Sequence, residues 1–129
     1  MTFKTALRAR IKDDAAVSAI VGANVFWSSR PQGSPFPAVV LTTVFAEAPQ
    51  HFGGYSPNIK RDVVQIDCYA TSQKEAEELR EAVLAVIVPE QTVNGVTFQR
   101  AFPDWRDDVR NVETRVVYRE IIEAEFRHN

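Results

Sequence analysis

Residues 106–126, RDDVRNVETRVVYREIIEAEF, carry four arginines and six carboxylates, a density that suits either a reactive cluster or a solvated surface. Every second residue from Val112 gives Val112, Thr114, Val116, Tyr118, Glu120, Ile122, Ala124 and Phe126, which is mostly apolar. The residues between them are Glu113, Arg115, Val117, Arg119, Ile121, Glu123 and Glu125, mostly charged. Successive side chains on a strand point to opposite sides of a sheet, so this alternation predicts a long strand with one buried and one charged face. Opposite charges on such a face pair across strands for roughly 0.2 to 1 kcal/mol each. What the charged face touches becomes the functional question.

The rest of the chain is read around that strand. Its 129 residues suit one domain, 1–129, with one core. With 45% hydrophobic and 25% charged residues, composition is that of an ordinary globular protein. The longest apolar run, AVLAVIV at 82–88, is too short to cross a bilayer, and no membrane partner is expected. MTFKTALRARIKDD at the start lacks the apolar core and cleavage site of a secretory signal. A net charge of −2 argues against tight, sequence-independent DNA binding, which needs a surplus of Lys and Arg. Cys68 is the sole cysteine, so no disulfide forms within the chain, and a reducing cytoplasm is the expected place of synthesis.

Phe3, Leu7 and Ile11 recur at four-residue spacing behind Thr2, predicting a short capped helix that Asp13 and Asp14 end. A second helical turn with Val17, Ile20 and Val21 stops at Gly22. NVFWS, 24–28, is strand-like, and RPQGSPFP, 30–37, must be a loop because three prolines and a glycine prohibit helix and ladder alike. PAVVLTTVF leads to a strand ending near Phe45, and 47–58 is expected to form a long hairpin loop of the kind that is usually functional or disordered. KRDVVQIDCYA, ending at Ala70, is a central strand. Ser72 and Glu75 form a capping box before a helix with Ala76, Leu79, Val83, Val86 and Ile87 on one side, which Pro89 ends. Asn94-Gly95 signals a tight turn, Val96 to Trp105 is strand-like, and 104–111 is expected to turn the chain into the final strand. The sum is an α+β fold: a mainly antiparallel sheet with two helices packed on one face.

Candidate chemical sites are few. Asp104, Asp107 and Asp108 are the densest carboxylates, but they lack the spacing of a calcium loop. His51 and His128 stand apart from each other and from Cys68, whose register with Val64 and Ile66 points to core packing. There is no GxSxG elbow, phosphate loop or dinucleotide fingerprint. No catalytic residue, metal site or cofactor is expected. Trp105, beside an acidic turn, is better suited to anchor a protein interface. A 15-residue final strand would span about 50 Å, against a radius of gyration of about 14 Å for a globule of this length. It is expected to bend or to project into a neighbour.

Several segments together resemble the small tail-completion proteins of long-tailed phages, also called tail terminator or tail-to-head joining proteins. They are the ALRARI helix with DDAAVSAIVG, RPQGSPFPAVVL, VVQIDCYA with SQKEAEELREAV, and DWRDDVRNVETRVVYREIIEAEF. The resemblance spans nearly the whole chain and is most specific at VQIDCYA and the helix after it. It implies a virion structural protein, made in the bacterial cytoplasm, that assembles as a homo-hexameric ring at the head-proximal end of the tail tube. Its implied partners are the tail-tube protein and the head connector or adaptor, and the same proteins occur in gene transfer agents. It carries over no cofactor and no active-site residue. Six touching spheres of about 18 Å radius, the size set by the ~14 Å radius of gyration, leave a hole about 36 Å across. DNA would pass through it without specific binding.

The interface expected from these readings combines Pro49, Gln50, His51, Phe52 and Tyr55 of the long loop with Trp105, Arg106, Arg115, Arg119 and Glu123 around the last strand. The last strand would form the contact between subunits, since a bare edge invites pairing, and the loop would reach the tube or the connector. Three other readings compete: a tail-tube or head-connector subunit, a small hydrolase using Asp104, Asp107 or Asp108, and a nucleic-acid module using Arg106, Arg110 and Arg115.

Overall fold

A computed structural model describes residues 2–47, 50–51, 54–55, 59–112 and 115–129. The chain opens with α1 (Phe3–Lys12), which Thr2 caps by accepting from the Thr5 amide, and α2 (Ala15–Val21). Asp14 was expected only to end the first helix. It also caps the second, its carboxylate accepting from the Ala16 and Val17 amides at 3.1 Å. With α3 (Gln73–Ile87) there are three helices among the described residues, not two.

Among the described residues nine strands run in the order β1 (Val25–Trp27), β2 (Ala38–Glu47), β3 (Gln50–His51), β4 (Gly54–Tyr55), β5 (Lys60–Ala70), β6 (Gln91–Val93), β7 (Val96–Phe98), β8 (Phe102–Val112) and β9 (Arg115–His128), with α3 between β5 and β6. β3 and β4 pair only with each other, and the other seven strands form one sheet. β9 lies inside that sheet. β5 runs along one of its edges from Lys60 opposite His128 to Ala70 opposite Tyr118, while β7 and then β8 run along the other. β8 and β9 are the two legs of one hairpin, from Phe102 opposite Glu125 to Val112 opposite Arg115. The segment expected to be a turn, 104–111, is therefore a strand, and the bare edge belongs to β8 rather than to the last strand. Gln91–Val93 is a further strand, joined to β7 through Asn94 and Gly95, both at positive φ (48° and 87°) as a two-residue hairpin turn requires.

One pairing is parallel, β1 with β2. Parallel neighbours need a connection that returns along the strand before re-entering the sheet, and residues 28–37 make that return. The sheet otherwise runs antiparallel, with a bulge between Thr43 and Phe45.

Ser72 caps α3 through a bond from the Glu75 amide, and α1 and α3 cover one face of the sheet. Leu7, Ile11, Leu79, Val83 and Ile87 pack there on Val39, Leu41, Val64, Ile66, Ile122, Ala124 and Phe126. The expected buried register of the last strand holds from Glu120 to His128 and fails at Val116, which is half-exposed. His128, at the end of β9, is buried, with Nε2 2.6 Å from Asp62 Oδ2 and its ring stacked on Phe3. Among the described residues no helix is long and apolar enough to cross a membrane.

Candidate assembly surfaces

Directly opposed residues of an antiparallel pair project to the same face, so the β8–β9 register sorts the charged segment. Glu120, Ile122 and Ala124 face the helices, and with them Asp107, Trp105 and Pro103. Asp104, Arg106 and Asp108 share the opposite, open face with Glu123, Ile121 and Arg119. The three aspartates thus divide between two faces and do not form one cluster. No group of three His, Cys, Asp or Glu side chains close enough to hold a metal exists among the described residues. Cys68 is fully buried, and burial together with the nearby Asp67 and Glu120 carboxylates pushes its thiol pKa well up, which removes it as a nucleophile at neutral pH.

On the open face Arg119 ties three strands together. Its Nη2 lies 2.6 Å from Asp108 Oδ2 on β8, its Nη1 3.7 Å from Asp67 Oδ1 on β5. Asp67 is buried and also accepts from Gln65 Nε2 at 3.1 Å. Burial works against the Arg119 charge, but its hydrogen bond to Asp108 and the charge of Asp67 hold its pKa above the ordinary value. The crossover loop closes over this region: Phe36 lies 5.9 Å from the Tyr69 ring and 5.7 Å from the Arg115 guanidinium. Between loop and sheet lies a cavity of about 430 Å³ lined by Ser28, Arg30, Phe36, Asp67, Tyr69 and Arg119.

On the helix side Arg80 of α3 hydrogen-bonds Glu120 and Glu81 and lies 5.5 Å from the Trp105 ring centre. Burial pushes the Glu120 carboxyl above its ordinary value, and the charges of Asp107 and Glu77 add to the effect while Arg80 opposes it. Trp105 remains 52% exposed and Val109 56%, on an edge strand that pairs only with β9 among the described residues. Phe102, on the other face, is 70% exposed.

The expected interface residues fall into three groups. Arg106, Arg115, Arg119 and Glu123 lie on the open face, Arg119 and Arg115 engaged within the chain. Trp105 lies on the helix side. Gln50, His51 and Tyr55 belong to the small β3–β4 ladder, which leaves the sheet beyond the Glu47–Arg61 pair, the end opposite the β8–β9 turn. Pro49 and Phe52 lie outside the described residues. Sequence reasoning missed Asp67 and Arg80, and named Asp108 only as a candidate hydrolase carboxylate. The one signal for Asp67 was a carboxylate within VVQIDCYA, whose other residues are apolar or neutral.

Residues 5–127 match the family model of the tail completion protein gp17. The chain belongs to this family. Its tail-completion proteins are structural parts of phage tails, so the charged strand lies in a virion component. Over 98% of this chain and 95% of the other, the fold is similar to a chain from the "Virion of native gene transfer agent (GTA) particle", with a TM-score of 0.60 and 16% identity. A second solved structure is similar over 95% of this chain and 91% of its own, with a TM-score of 0.61 and 12% identity. At such identities the likeness concerns the fold. No curated protein matches the sequence. The match of this tail-completion chain to its family thus covers nearly the whole domain.

Proposed function

We propose that the chain forms a homo-hexameric ring at the head-proximal end of the tail tube, where it stops tube polymerisation and joins the tail to the head connector. Membership in the tail completion family supports a place in the tail, and the likeness to a chain of a gene transfer agent virion agrees with a place in an assembled particle. The observation that carries the reading is the polarity of the subunit. One long connection leaves the sheet beyond Glu47 and Arg61, and the β8–β9 hairpin extends past the end of β5 in the opposite direction, since Ala70 pairs with Tyr118 while β9 begins at Arg115. A subunit held between a tube and a connector needs two unlike ends of this kind. Gln50, His51 and Tyr55, with Pro49 and Phe52, would meet one neighbour. The slight acidic balance of −2 suits a lumen through which DNA slides without sticking.

The test is the mass of the purified protein by light scattering, alone and with tail tubes, repeated on a chain lacking residues 49–57, together with electron microscopy of tails made without the protein. A closed ring, and tails of uncontrolled length in its absence, are the expected results. A protein that stays monomeric both alone and on tubes, and whose loss leaves tail length and head attachment normal, overturns the reading.

A further inference from the structure

The two lateral borders of the molecule carry charges of opposite sign, part of which stay without an ion-pair partner among the described residues. α1 crosses the sheet, and where it passes the edge strand β1 Lys4 Nζ sits 5.3 Å over the Trp27 ring and Arg8 Nε donates to the Val25 carbonyl at 2.7 Å. Of the four cations of α1, Arg10 is buried against Pro89 and Gln91 and Lys12 pairs with Asp13, which leaves Lys4 and Arg8 at this border. Among the described residues neither Lys4 nor Arg8 has an acidic partner. α3 lies over β5 and β9, and its Arg80 reaches toward the other border, hydrogen-bonding Glu120 and lying 5.5 Å from the Trp105 ring centre. Of the four carboxylates of α3, Glu78 pairs with Lys74 and Glu81 with Arg80, which leaves Glu75 and Glu77 without an ion pair among the described residues. Glu77 accepts only from Gln73 of its own helix, and Asp107 on β8 makes no ion pair among the described residues. The acidic border also bears the exposed Trp105 and Val109 beside the unpaired edge of β8.

We propose that the α3–β8 border of one copy docks, head to tail, on the α1–β1 border of a second copy, with Glu77 and Asp107 opposite Lys4 and Arg8. The borders are unlike, so the contact is heterologous, and heterologous contacts close into rings or run on as filaments instead of stopping at a two-fold dimer. Charge complementarity sets which borders meet. Trp105, a large and half-exposed aromatic at the centre of the acidic border, supplies the apolar anchor. A bare 11-residue edge strand, which otherwise templates indiscriminate pairing, is covered by the same contact. This contact rests on the ring reading above and adds which surfaces form it.

The experiment uses full-length protein and native mass measurement across a concentration series, with circular dichroism as the check of folding. One variant reverses the basic border, Lys4→Glu with Arg8→Glu. A second reverses the acidic border, Glu77→Lys with Asp107→Lys. A milder pair, Lys4→Glu alone and Glu77→Lys alone, serves if either double change disturbs folding. Each reversal is expected to raise the concentration for half-assembly at least tenfold. The chain carrying both reversals recovers assembly, and so does an equimolar mixture of the two single-border variants, because every junction of an alternating ring then joins opposite charges. If the wild type forms a ring but either folded reversal assembles like it, or the doubly reversed chain fails to recover, this contact is wrong while the ring reading stands. If the wild type forms no ring alone, the same variants are compared on tail tubes, and if it forms none there either, both fall.

Discussion

Arg119 of β9 and Asp108 of β8 meet across the hairpin with Nη2 2.6 Å from Oδ2, and the same guanidinium reaches Asp67 of β5 on its other side. One side chain therefore spans three adjacent strands on the face the helices leave open. Removing it strands a buried carboxylate at Asp67, and the cost of breaking such a pair exceeds what the pair adds, because an uncompensated charge is left in place of a compensated one. Arg119→Ala should lower the free energy of unfolding by about 3 kcal/mol, read as a drop in urea midpoint with an unchanged slope. Asp108→Asn, at a half-exposed position, should cost about 1 kcal/mol or less.

Glu120 gives the fold a pH dependence of defined sign. Its carboxyl pKa is raised in the folded chain above the ordinary 4.5, chiefly by burial. The folded state thus holds this proton more tightly than the unfolded state. The resulting contribution is full below the unfolded value and is lost as pH rises through the folded one. Stability measured by urea unfolding from pH 4 upward should carry this falling component in the wild type, and Glu120→Gln should remove it. A wild-type and variant difference that is constant over that interval would contradict the assignment.

Trp105 separates folding from assembly. Its ring is half-exposed and contacts Arg80, a contact worth about 0.5 to 1 kcal/mol at an exposed site. Trp105→Ala should change the unfolding midpoint by no more than that amount, yet weaken self-association about tenfold or more, as loss of an aromatic anchor does. Sedimentation velocity over a concentration series reads the second effect, and thermal unfolding the first.

Ser72 tests the local rule that starts α3. Its Oγ accepts from the Glu75 amide at 3.2 Å, and Ser72→Ala should cost about 1 kcal/mol. Hydrogen exchange should report that loss most strongly in the first turn of α3.

The elements that the sequence disclosed are those with one face buried against the helix layer. β9 alternates cleanly from Glu120 to Phe126 because each alternate residue lies under α1 or α3. The pattern weakens at Val116, where the strand has passed the end of β5 and no layer covers it. β8 was misread for the same reason. Phe102, Trp105 and Val109 are all exposed, and an edge strand with neither face fully buried has no periodicity to show, so Asp104, Asp107 and Asp108 looked like turn residues. Asp14 illustrates a different limit. Asp13 closes one helix and Asp14 caps the next, and a boundary read as an end hides a beginning. The Arg119 network was beyond reach, since Asp67, Asp108 and Arg119 meet only once the register of three strands is known. Family resemblance pointed to a tail protein without distinguishing the surfaces, and the placement of Gln50, His51 and Tyr55 beyond the Glu47–Arg61 pair and of Trp105 on the edge strand β8 emerges only from strand order.

The stacking of Phe3 on His128, with ring centres 4.2 Å apart, makes the first helix and the last strand spatial neighbours. A flexible link of about four residues spans roughly 11 Å on average, enough to join Asn129 to Thr2. The chain should therefore accept circular permutation, with new ends opened in the exposed part of the crossover loop at 31–33. Such a permutant would carry its ends in the loop that covers the open face, on the side of the sheet opposite the helices. It offers a place for a fluorescent or affinity label outside the helix layer.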